Sequence, residues 1–306
     1  TDEIVRIFDK VEGDNGGANA GYIPQLAQVD SNQMAVSVTT VHGQTFHHGD
    51  YDVPFCVQSS TKPFTYCMAS EMLGADKVHD HIGREPSGKG FNERVLLNHL
   101  PHNPMINSGA MMCAKLVRCE GTDDATQWDY VIEKWTELAG GNKIGFMNSV
   151  YLSEKDTADR NYCLAYMMRE EGAFEPDCDI PNNLNFYFMS CSIEVTAKIM
   201  SIVASTLANS GVNPLTRRQV FHADTVRNCL SLMLSCGMYD YSGEFSFKLG
   251  LPGKSGVSGV VIVPVVGVMG ICFWSPRLDR YGNSYRAINF FKELGNTFSF
   301  HFAEKL

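Results

Sequence analysis

The sequence predicts an α/β protein whose two ends build a sheet around a helical middle. Three observations support this class: residues 34–41 alternate toward a strand, residues 257–263 and 268–274 are short apolar runs, and the middle third shows helical periodicity. We expect residues 1–72 and 200–306 to form an α/β sheet domain and residues 73–199 to form a helical domain. The cleft between two such parts is the usual place for an active site.

The elements of the first part follow from local patterns. Residues up to about 20 are polar and rich in glycine, so this opening segment is expected to be mobile. His42-Gly43 predicts a turn between the first strand and a second one. A helix is expected after Ser59, because Pro63 is tolerated only in a first helical turn, and it ends near Gly74.

Helices are predicted through the middle of the chain and strands near its end. One apolar helical face comprises Trp128, Val131, Ile132, Trp135 and Leu138, with Gly140-Gly141 as the C-cap. Ser192 is predicted to open another helix that ends at residues 209–211. After Gly237 the pattern changes to strands at residues 245–249, 257–263 and 268–274, with a turn around Pro264-Val265. A final helix covers about residues 284–294.

Composition argues against several classes of function. A chain of 306 residues with 44% hydrophobic content buries a substantial core. Its net charge of -9 and pI near 5.5 argue against nucleic acid and membranes as partners. The ten cysteines lack a C-x-x-C spacing, so we expect free, buried thiols in a reducing compartment and no metal site. The chain starts at Thr1 without a signal or transit segment, which predicts a cytoplasmic protein or a processed fragment.

Two short motifs predict the chemistry. Ser59-Ser60-Thr61-Lys62 has the S-x-x-K spacing, and Lys254-Ser255-Gly256 has the K-[ST]-G pattern. A serine hydroxyl needs a neighbour that accepts its proton, and a lysine three positions later on a helix lies on the same face. In this order the two motifs are the signature of the penicillin-recognising serine acylases. The predicted fold is therefore β-lactamase-like, with a mainly antiparallel sheet flanked by helices and a helical subdomain.

The two motifs also predict how the serine is activated. Lys62 must be neutral part of the time to act as a base, and burial together with Lys254 as a second nearby cation achieves this. The backbone N–H of Ser59, at the start of a helix, offers one oxyanion-hole donor. The strand that carries Lys254 offers a second donor from its backbone.

Each motif has an ordinary alternative. Ser59 alone would indicate an ordinary helix N-cap serine, and the presence of Lys254 favours the interpretation of Ser59 as a nucleophile. Gly253-Lys254-Ser255 resembles the end of a P-loop, but Lys248 stands where that loop needs a glycine. A Ser-His-Asp triad stays open as an alternative, because the sequence contains nine histidines.

Longer strings carry a family resemblance. They are Tyr22-Ile23-Pro24-Gln25-Leu26, Gln58-Ser59, Pro101-His102-Asn103-Pro104-Met105-Ile106-Asn107-Ser108-Gly109-Ala110, Ser153-Glu154, Asp159-Arg160-Asn161, Phe186-Tyr187-Phe188, Cys191-Ser192-Ile193-Glu194-Val195-Thr196, Ser235-Cys236-Gly237-Met238-Tyr239-Asp240 and Leu251-Pro252-Gly253-Lys254-Ser255-Gly256-Val257. These strings resemble the serine-dependent glutaminases, with the animal mitochondrial kidney-type branch as the best match. The resemblance runs from about residue 22 to residue 284.

The resemblance implies hydrolysis of L-glutamine to L-glutamate and ammonia through a glutamyl-serine intermediate, with no metal or organic cofactor. It implies Ser59 as nucleophile, Lys62 as its base and Tyr239 as the proton relay to the leaving ammonia, and it sets the backbone N–H groups of Ser59 and Val257 as the oxyanion hole. Lys254 and Tyr187 complete the expected catalytic group. The residues implied to hold the substrate are Tyr22, Gln58, Ser59, Asn107, Glu154, Asn161, Tyr187, Tyr239 and Val257.

The charge of the substrate supports these roles. Glutamine is a zwitterion, so its site needs one carboxylate for the ammonium and several donors for the carboxylate. Glu154 suits the first task, and Asn107, Asn161 and the tyrosines suit the second. Capping and core packing are the ordinary alternative for these residues.

The family resemblance implies further properties. Its animal members form homodimers and homotetramers in the mitochondrial matrix, and inorganic phosphate is the expected activator. Residues 84–100, including Phe91, match the loop that gates the family's site. Two other functions stay open: a β-lactamase or penicillin-binding-protein-like acyl hydrolase of the same fold, and a non-catalytic relative that only binds a ligand.

Overall fold

The main sheet of the protein is five-stranded and fully antiparallel. The computed structural model describes residues 1–90, 92–118 and 123–305. The strands of this sheet are β1 (Ala35–Thr40), β2 (Thr45–Gly49), β6 (Lys254–Gly256), β7 (Val260–Val265) and β8 (Met269–Trp274), in the spatial order β2-β1-β8-β7-β6. A second, three-stranded sheet has the order β3 (Phe55–Cys56), β5 (Ile193–Val195) and β4 (Gly145–Phe146). The pairing of β1 with β8, in which Val36 lies opposite Phe273, joins the two ends of the chain.

Helices cover both faces of the main sheet. They are α1 (Asp2–Glu12), α2 (Pro24–Ala27), α3 (Lys62–Leu73), α4 (Ala75–His79), α5 (Asn107–Val117), α6 (Asp124–Leu138), α7 (Asn148–Asp156), α8 (Asp159–Glu170), α9 (Ile180–Cys191), α10 (Ala197–Ala208), α11 (Ala223–Cys236), α12 (Ser242–Leu249) and α13 (Tyr285–Thr297). Short 3-10 helices span Gln58–Thr61, Tyr239–Tyr241 and Phe302–Lys305. None of the helices in the described ranges combines the length and the apolar character that crossing a bilayer requires.

The alternation of the strands divides the core into two main layers. Ile271 and Phe273 of β8 pack with α1, α12 and α13 on one face of the sheet. Cys272 and Trp274 pack with α3, α5, α9 and α10 on the other face. Because successive strand residues point to opposite faces, one apolar strand supplies both layers. This confirms the predicted α/β class with an antiparallel sheet flanked by helices.

The start of the chain differs from the prediction. The first residues form helix α1, whose side chains Ile7, Phe8 and Val11 are buried, so the segment is not a mobile tail. The polar loop that follows is held by Arg286, which donates from Nε to the backbone oxygen of Asp14 at 3.0 Å. The apolar spacing of helix α1 is that of an amphipathic helix, and its high content of charged residues hides this pattern.

Three later elements also differ from the prediction. The predicted strand at residues 245–249 is part of helix α12, in which Phe245 and Leu249 are buried one turn apart while Phe247 is 81% exposed. The helix predicted to open at Ser192 begins at Ala197, because the residues between them form strand β5. Pro264 lies inside strand β7 rather than in a turn. Strand β6 pairs with β7 only from Val260 to Ile262, so the missing backbone N–H of Pro264 leaves no carbonyl oxygen of β6 without a donor.

Helix α10 lies directly on strand β8 at Gly270. A Cβ atom at this position would lie 2.0 Å from the backbone nitrogen of Ser205 and 2.6 Å from the backbone oxygen of Ser201. Real atoms cannot approach so closely, and backbone atoms of a packed helix cannot move aside cheaply. The absence of a side chain at Gly270 therefore sets the distance between the sheet and the helical layer.

We expect Gly270→Ala to lower the free energy of unfolding by about 3 kcal/mol, because the added methyl group overpacks this contact. Urea unfolding followed by circular dichroism measures the change. The control is Gly243→Ala, since no heavy atom lies within 4 Å of a Cβ at Gly243 on helix α12. Equal stability of Gly270→Ala and Gly243→Ala would contradict the packing argument.

Candidate active site

Ser59 lies in a tight turn between a strand and a helix. Strand β3 ends at Cys56, the 3-10 helix Gln58–Thr61 follows, and Lys62 opens helix α3. Gln58 has φ of 46°, a left-handed conformation that few residues other than glycine adopt. Ser59 is buried but still borders a cavity. The predicted N-cap position is thus a 3-10 turn that leads into the helix.

The two sequence motifs meet through their backbones. Gly256, at the end of strand β6, lies so close to this turn that a Cβ atom would be 2.8 Å from the backbone oxygen of Val57 and 3.3 Å from the nitrogen of Ser60. Only glycine permits this approach without displacing one of the two segments. Val257 follows directly and is buried beside Tyr239 and Ile23. The predicted strand that carries Lys254 is confirmed as β6.

Tyr239 is fixed by the same strand. Gly237, two residues earlier, accepts a hydrogen bond from the Ser255 backbone N–H at 3.2 Å. The Tyr239 hydroxyl donates to the Ser255 backbone oxygen at 3.2 Å and also shares a side-chain hydrogen bond with Ser59. Tyr239 has φ of 56°, the second left-handed residue at this site. Burial raises the pKa of the Tyr239 phenol, against the opposing effect of the Ser59 hydrogen bond, so the phenol is protonated at neutral pH.

Two buried lysines lie close to this serine and tyrosine. Burial lowers the pKa of Lys62 to about 8. Burial, followed by repulsion from Lys62, lowers the pKa of Lys254 well below its usual value. The Lys254 Nζ donates to the Ser255 backbone oxygen at 2.6 Å and lies 4.7 Å from the centre of the Tyr239 ring. The two lysines are therefore charged one at a time more readily than both at once.

Asn107 connects Lys62 to the predicted substrate residues. The Lys62 Nζ donates to the Asn107 Oδ1 at 2.7 Å, and the Tyr187 hydroxyl donates to the same oxygen at 3.4 Å. The Asn107 Nδ2 donates to the Asn161 Oδ1 at 3.0 Å. The sequence led us to expect Lys62 bonded to Ser59. Among the described residues, the lysine instead bonds to Asn107 and the serine bonds to Tyr239.

Glu154 is the buried carboxylate of the site. It accepts a hydrogen bond from the Gln58 Nε2 at 3.1 Å. Burial raises the pKa of the Glu154 carboxyl to about 7, while the Gln58 hydrogen bond and the charge of Lys62 act in the opposite direction. The carboxyl group is therefore ready to ionise when a cation arrives.

Most of the predicted substrate residues surround one cavity of about 110 Å³. Seven of them line it: Tyr22, Gln58, Ser59, Asn107, Glu154, Asn161 and Tyr187. Val257 and Tyr239 are not part of this lining; they lie behind Ser59, as described above. The structure thus brings these seven residues together from six separate stretches of the chain.

The lining also includes residues that the sequence reasoning gave no role. They are Ile23, Asn92, Thr157 and Arg160. The sequence could have indicated Arg160, because it directly precedes the predicted substrate residue Asn161 in the first turn of helix α8. Asn92 belongs to the predicted gating segment and carried no distinguishing signal.

A second cavity of about 220 Å³ is lined in part by Tyr239. Residues 86–89 of the predicted gating segment line it together with Ser235, Cys236 and Tyr239. Phe91, which the sequence placed in this segment, lies outside the described residues. The segment thus contacts both cavities, through Lys89 on this side and Asn92 on the other.

The sequence also predicted the state of the cysteines. Nine cysteines in the described ranges are free thiols, and seven of these are buried, as predicted; Cys119 lies outside those ranges. In the same ranges no three residues of the types His, Cys, Asp and Glu are grouped as a metal site. The predicted division into residues 1–72 with 200–306 and residues 73–199 stays a prediction.

Comparison with known proteins supports the predicted resemblance. The family model described as glutaminase matches residues 17–302. The mouse protein named glutaminase liver isoform, mitochondrial, is 44% identical over 98% of this chain and 50% of its own length. The glutaminase of Nostoc sp. is 37% identical over 94% of this chain and 85% of its own length. The chain spans about half the length of the animal relatives it matches.

Solved structures agree with the sequence comparison. The structure described as Mglu in its glutamate form has a TM-score of 0.90 and 32% identity over 97% of this chain and 68% of that chain. This likeness confirms the β-lactamase-like class that the two motifs predicted. Family model, relatives and structures agree over nearly the whole chain, and the chain belongs to the glutaminase family.

Proposed function

We propose that this protein hydrolyses L-glutamine to L-glutamate and ammonia through a glutamyl-serine intermediate. One observation carries the proposal: Ser59 opens onto a cavity that also holds the carboxylate of Glu154, with the buried amine of Lys62 behind it. Membership of the glutaminase family supports the choice of reaction, and the relative described in its glutamate form supports the choice of ligand.

In the first half of the reaction, the Ser59 Oγ attacks the side-chain amide carbon of glutamine. Its proton passes to the neutral amine of Lys62, by way of the Tyr239 hydroxyl that already bonds to Ser59. The backbone N–H groups of Ser59 and Val257 stabilise the negative charge that develops on the carbonyl oxygen. The close contact of strand β6 with the serine turn supports this pairing of donors.

Collapse of this intermediate breaks the carbon–nitrogen bond. The leaving nitrogen takes up a proton from the Tyr239 hydroxyl, and the phenol regains one from protonated Lys62. The raised pKa of Tyr239 supports a relay that ends each cycle protonated. Lys254 holds Tyr239 in place through the shared Ser255 oxygen. Water then attacks the glutamyl ester by the reverse proton path, releasing glutamate and restoring Ser59.

The remaining lining residues hold the two ends of the substrate. The Glu154 carboxylate pairs with the α-ammonium, and Gln58 orients that carboxylate. Asn161, Tyr22 and Tyr187 hold the α-carboxylate, and Asn107 hydrogen-bonds to both Asn161 and Tyr187.

The proposal includes the wider properties that the family resemblance implies. No metal or organic cofactor takes part, and inorganic phosphate activates the protein. The active form is a homodimer or homotetramer. The mitochondrial names of the mouse and rat relatives support a location in the mitochondrial matrix.

We expect Ser59→Ala to lose nearly all glutamine turnover while it still binds glutamine, because only the nucleophile is removed. Ammonia release and calorimetric binding measure the two properties. The control is Ser60→Ala, whose hydroxyl donates to the Val57 backbone oxygen, and we expect it to retain turnover within about tenfold. Turnover by Ser59→Ala at the wild-type rate would reject Ser59 as the nucleophile.

We expect Glu154→Gln to raise KM for glutamine about 10- to 100-fold, because a charge-assisted hydrogen bond to the ammonium is lost. Steady-state kinetics with coupled ammonia detection measures this change. Glu194→Gln on strand β5 is the control, since Glu194 lies outside the cavity lining. An unchanged KM in Glu154→Gln would assign the ammonium to another partner.

The pKa values of Lys62 and Glu154 predict the pH dependence of kcat/KM. Lys62 must be neutral, which favours pH above about 8, and Glu154 must be ionised, which favours pH above about 7. We therefore expect kcat/KM to rise about hundredfold per pH unit below pH 7, about tenfold per unit between 7 and 8, and to level off above 8. In Glu154→Gln the steeper lower limb should disappear. A kcat/KM that falls between pH 6 and pH 8 would contradict both roles.

A further inference from the structure

The substrate cavity contains one acidic and one basic side chain in its lining. The acidic group is Glu154, near the end of helix α7, and the basic group is Arg160, in the first turn of helix α8. The other lining residues are amides, hydroxyls, phenols and one isoleucine. Within the described residues, Arg160 forms no ion pair or side-chain hydrogen bond with Glu154 or any other group. Both charges are therefore available to a ligand.

The amide of Asn107 is already occupied. Its Oδ1 accepts from Lys62 and Tyr187, and its Nδ2 donates to Asn161. The Asn161 Oδ1 accepts the hydrogen bond from Asn107, and the Asn161 side-chain N–H groups are still able to donate to a ligand. The donors left for an incoming carboxylate are thus few and uncharged, apart from the guanidinium of Arg160.

We propose that Arg160 is a specificity-determining residue that receives the α-carboxylate of the substrate. This inference rests on the proposed function and deepens it: the accepted substrates are amides of acidic α-amino acids in which both the ammonium and the carboxylate are free. A guanidinium presents a planar fork of donors that matches a carboxylate. Arg160 and Asn161 both line the cavity from the first turn of helix α8.

Exposure explains why this task suits an arginine. Arg160 is exposed, so its charge is solvated and costs little before substrate arrives. When the substrate fills the cavity mouth, water is excluded and the pairing with carboxylate strengthens. Lys62 cannot serve this purpose as well, because it is buried behind Asn107 and its neutral form is needed for the reaction.

The test compares two substrates that differ only at the α-carboxylate: L-glutamine and L-glutamine α-amide. Loss of the side-chain amide is followed by mass spectrometry for wild type, Arg160→Gln and Arg160→Lys. We expect Arg160→Gln to lower kcat/KM for glutamine tenfold or more and to change kcat/KM for the α-amide less than about twofold. Arg160→Lys should recover part of the preference, since it keeps the charge and loses the fork.

The control is Arg169→Gln, on the same helix α8, whose guanidinium stacks on Tyr166 away from the cavity. It should leave the ratio of the two kcat/KM values unchanged. An equal loss on both substrates in Arg160→Gln, or no loss on either, would overturn the proposal. If wild type releases no ammonia from glutamine, the proposed function fails, and calorimetric binding of L-glutamate by wild type and Arg160→Gln still decides the role of Arg160.

Discussion

The candidate site depends on the contact between two pieces of backbone, the end of strand β6 and the turn that carries Ser59. Gly256 permits this contact, because any side chain there would meet Val57 and Ser60. The contact brings Lys254 and Val257 to a serine almost 200 positions earlier in the chain. The same strand fixes Tyr239 through the Ser255 backbone, so the proposed nucleophile, oxyanion donors and proton relay all share one support.

This support keeps two amines in a place where burial makes the charged form of each less favourable than it is in water. Burial lowers the pKa of Lys62 to about 8, so holding it charged costs about 3 kcal/mol relative to water. Burial and repulsion from Lys62 lower the pKa of Lys254 as well. A base that works near neutral pH needs such a setting. The stability that the site loses is offset by the apolar layers on both faces of the sheet, which hold strands β6, β7 and β8 in place.

The sequence predicted the parts of this structure that depend on local spacing and left out those that depend on distant contacts. Strands β1, β7 and β8 follow from apolar patterns, and Ser59 with Lys62 follows from a spacing of three. Helix α12 was misread as a strand, since Phe245 and Phe247 alternate as strand residues do and only packing shows that one of them is exposed. The bond of Lys62 to Asn107 depends on how helices α3 and α5 pack together, which no local pattern encodes. The place of Arg160 in the cavity was indicated only by its neighbour Asn161.

Backbone strain gives a further reason why the site is arranged this way. In an ordinary strand, consecutive side chains point to opposite sides, yet Gln58 and Ser59 both line the same cavity. The left-handed conformation of Gln58 makes this possible, at a cost of about 1–3 kcal/mol that the buried surroundings must offset. Tyr239 has the same conformation two residues after Gly237, whose contact with the Gly253 backbone leaves no room for a Cβ atom. Gln58 directly precedes Ser59 and Tyr239 hydrogen-bonds to it, so both strained residues lie where the proposed chemistry takes place.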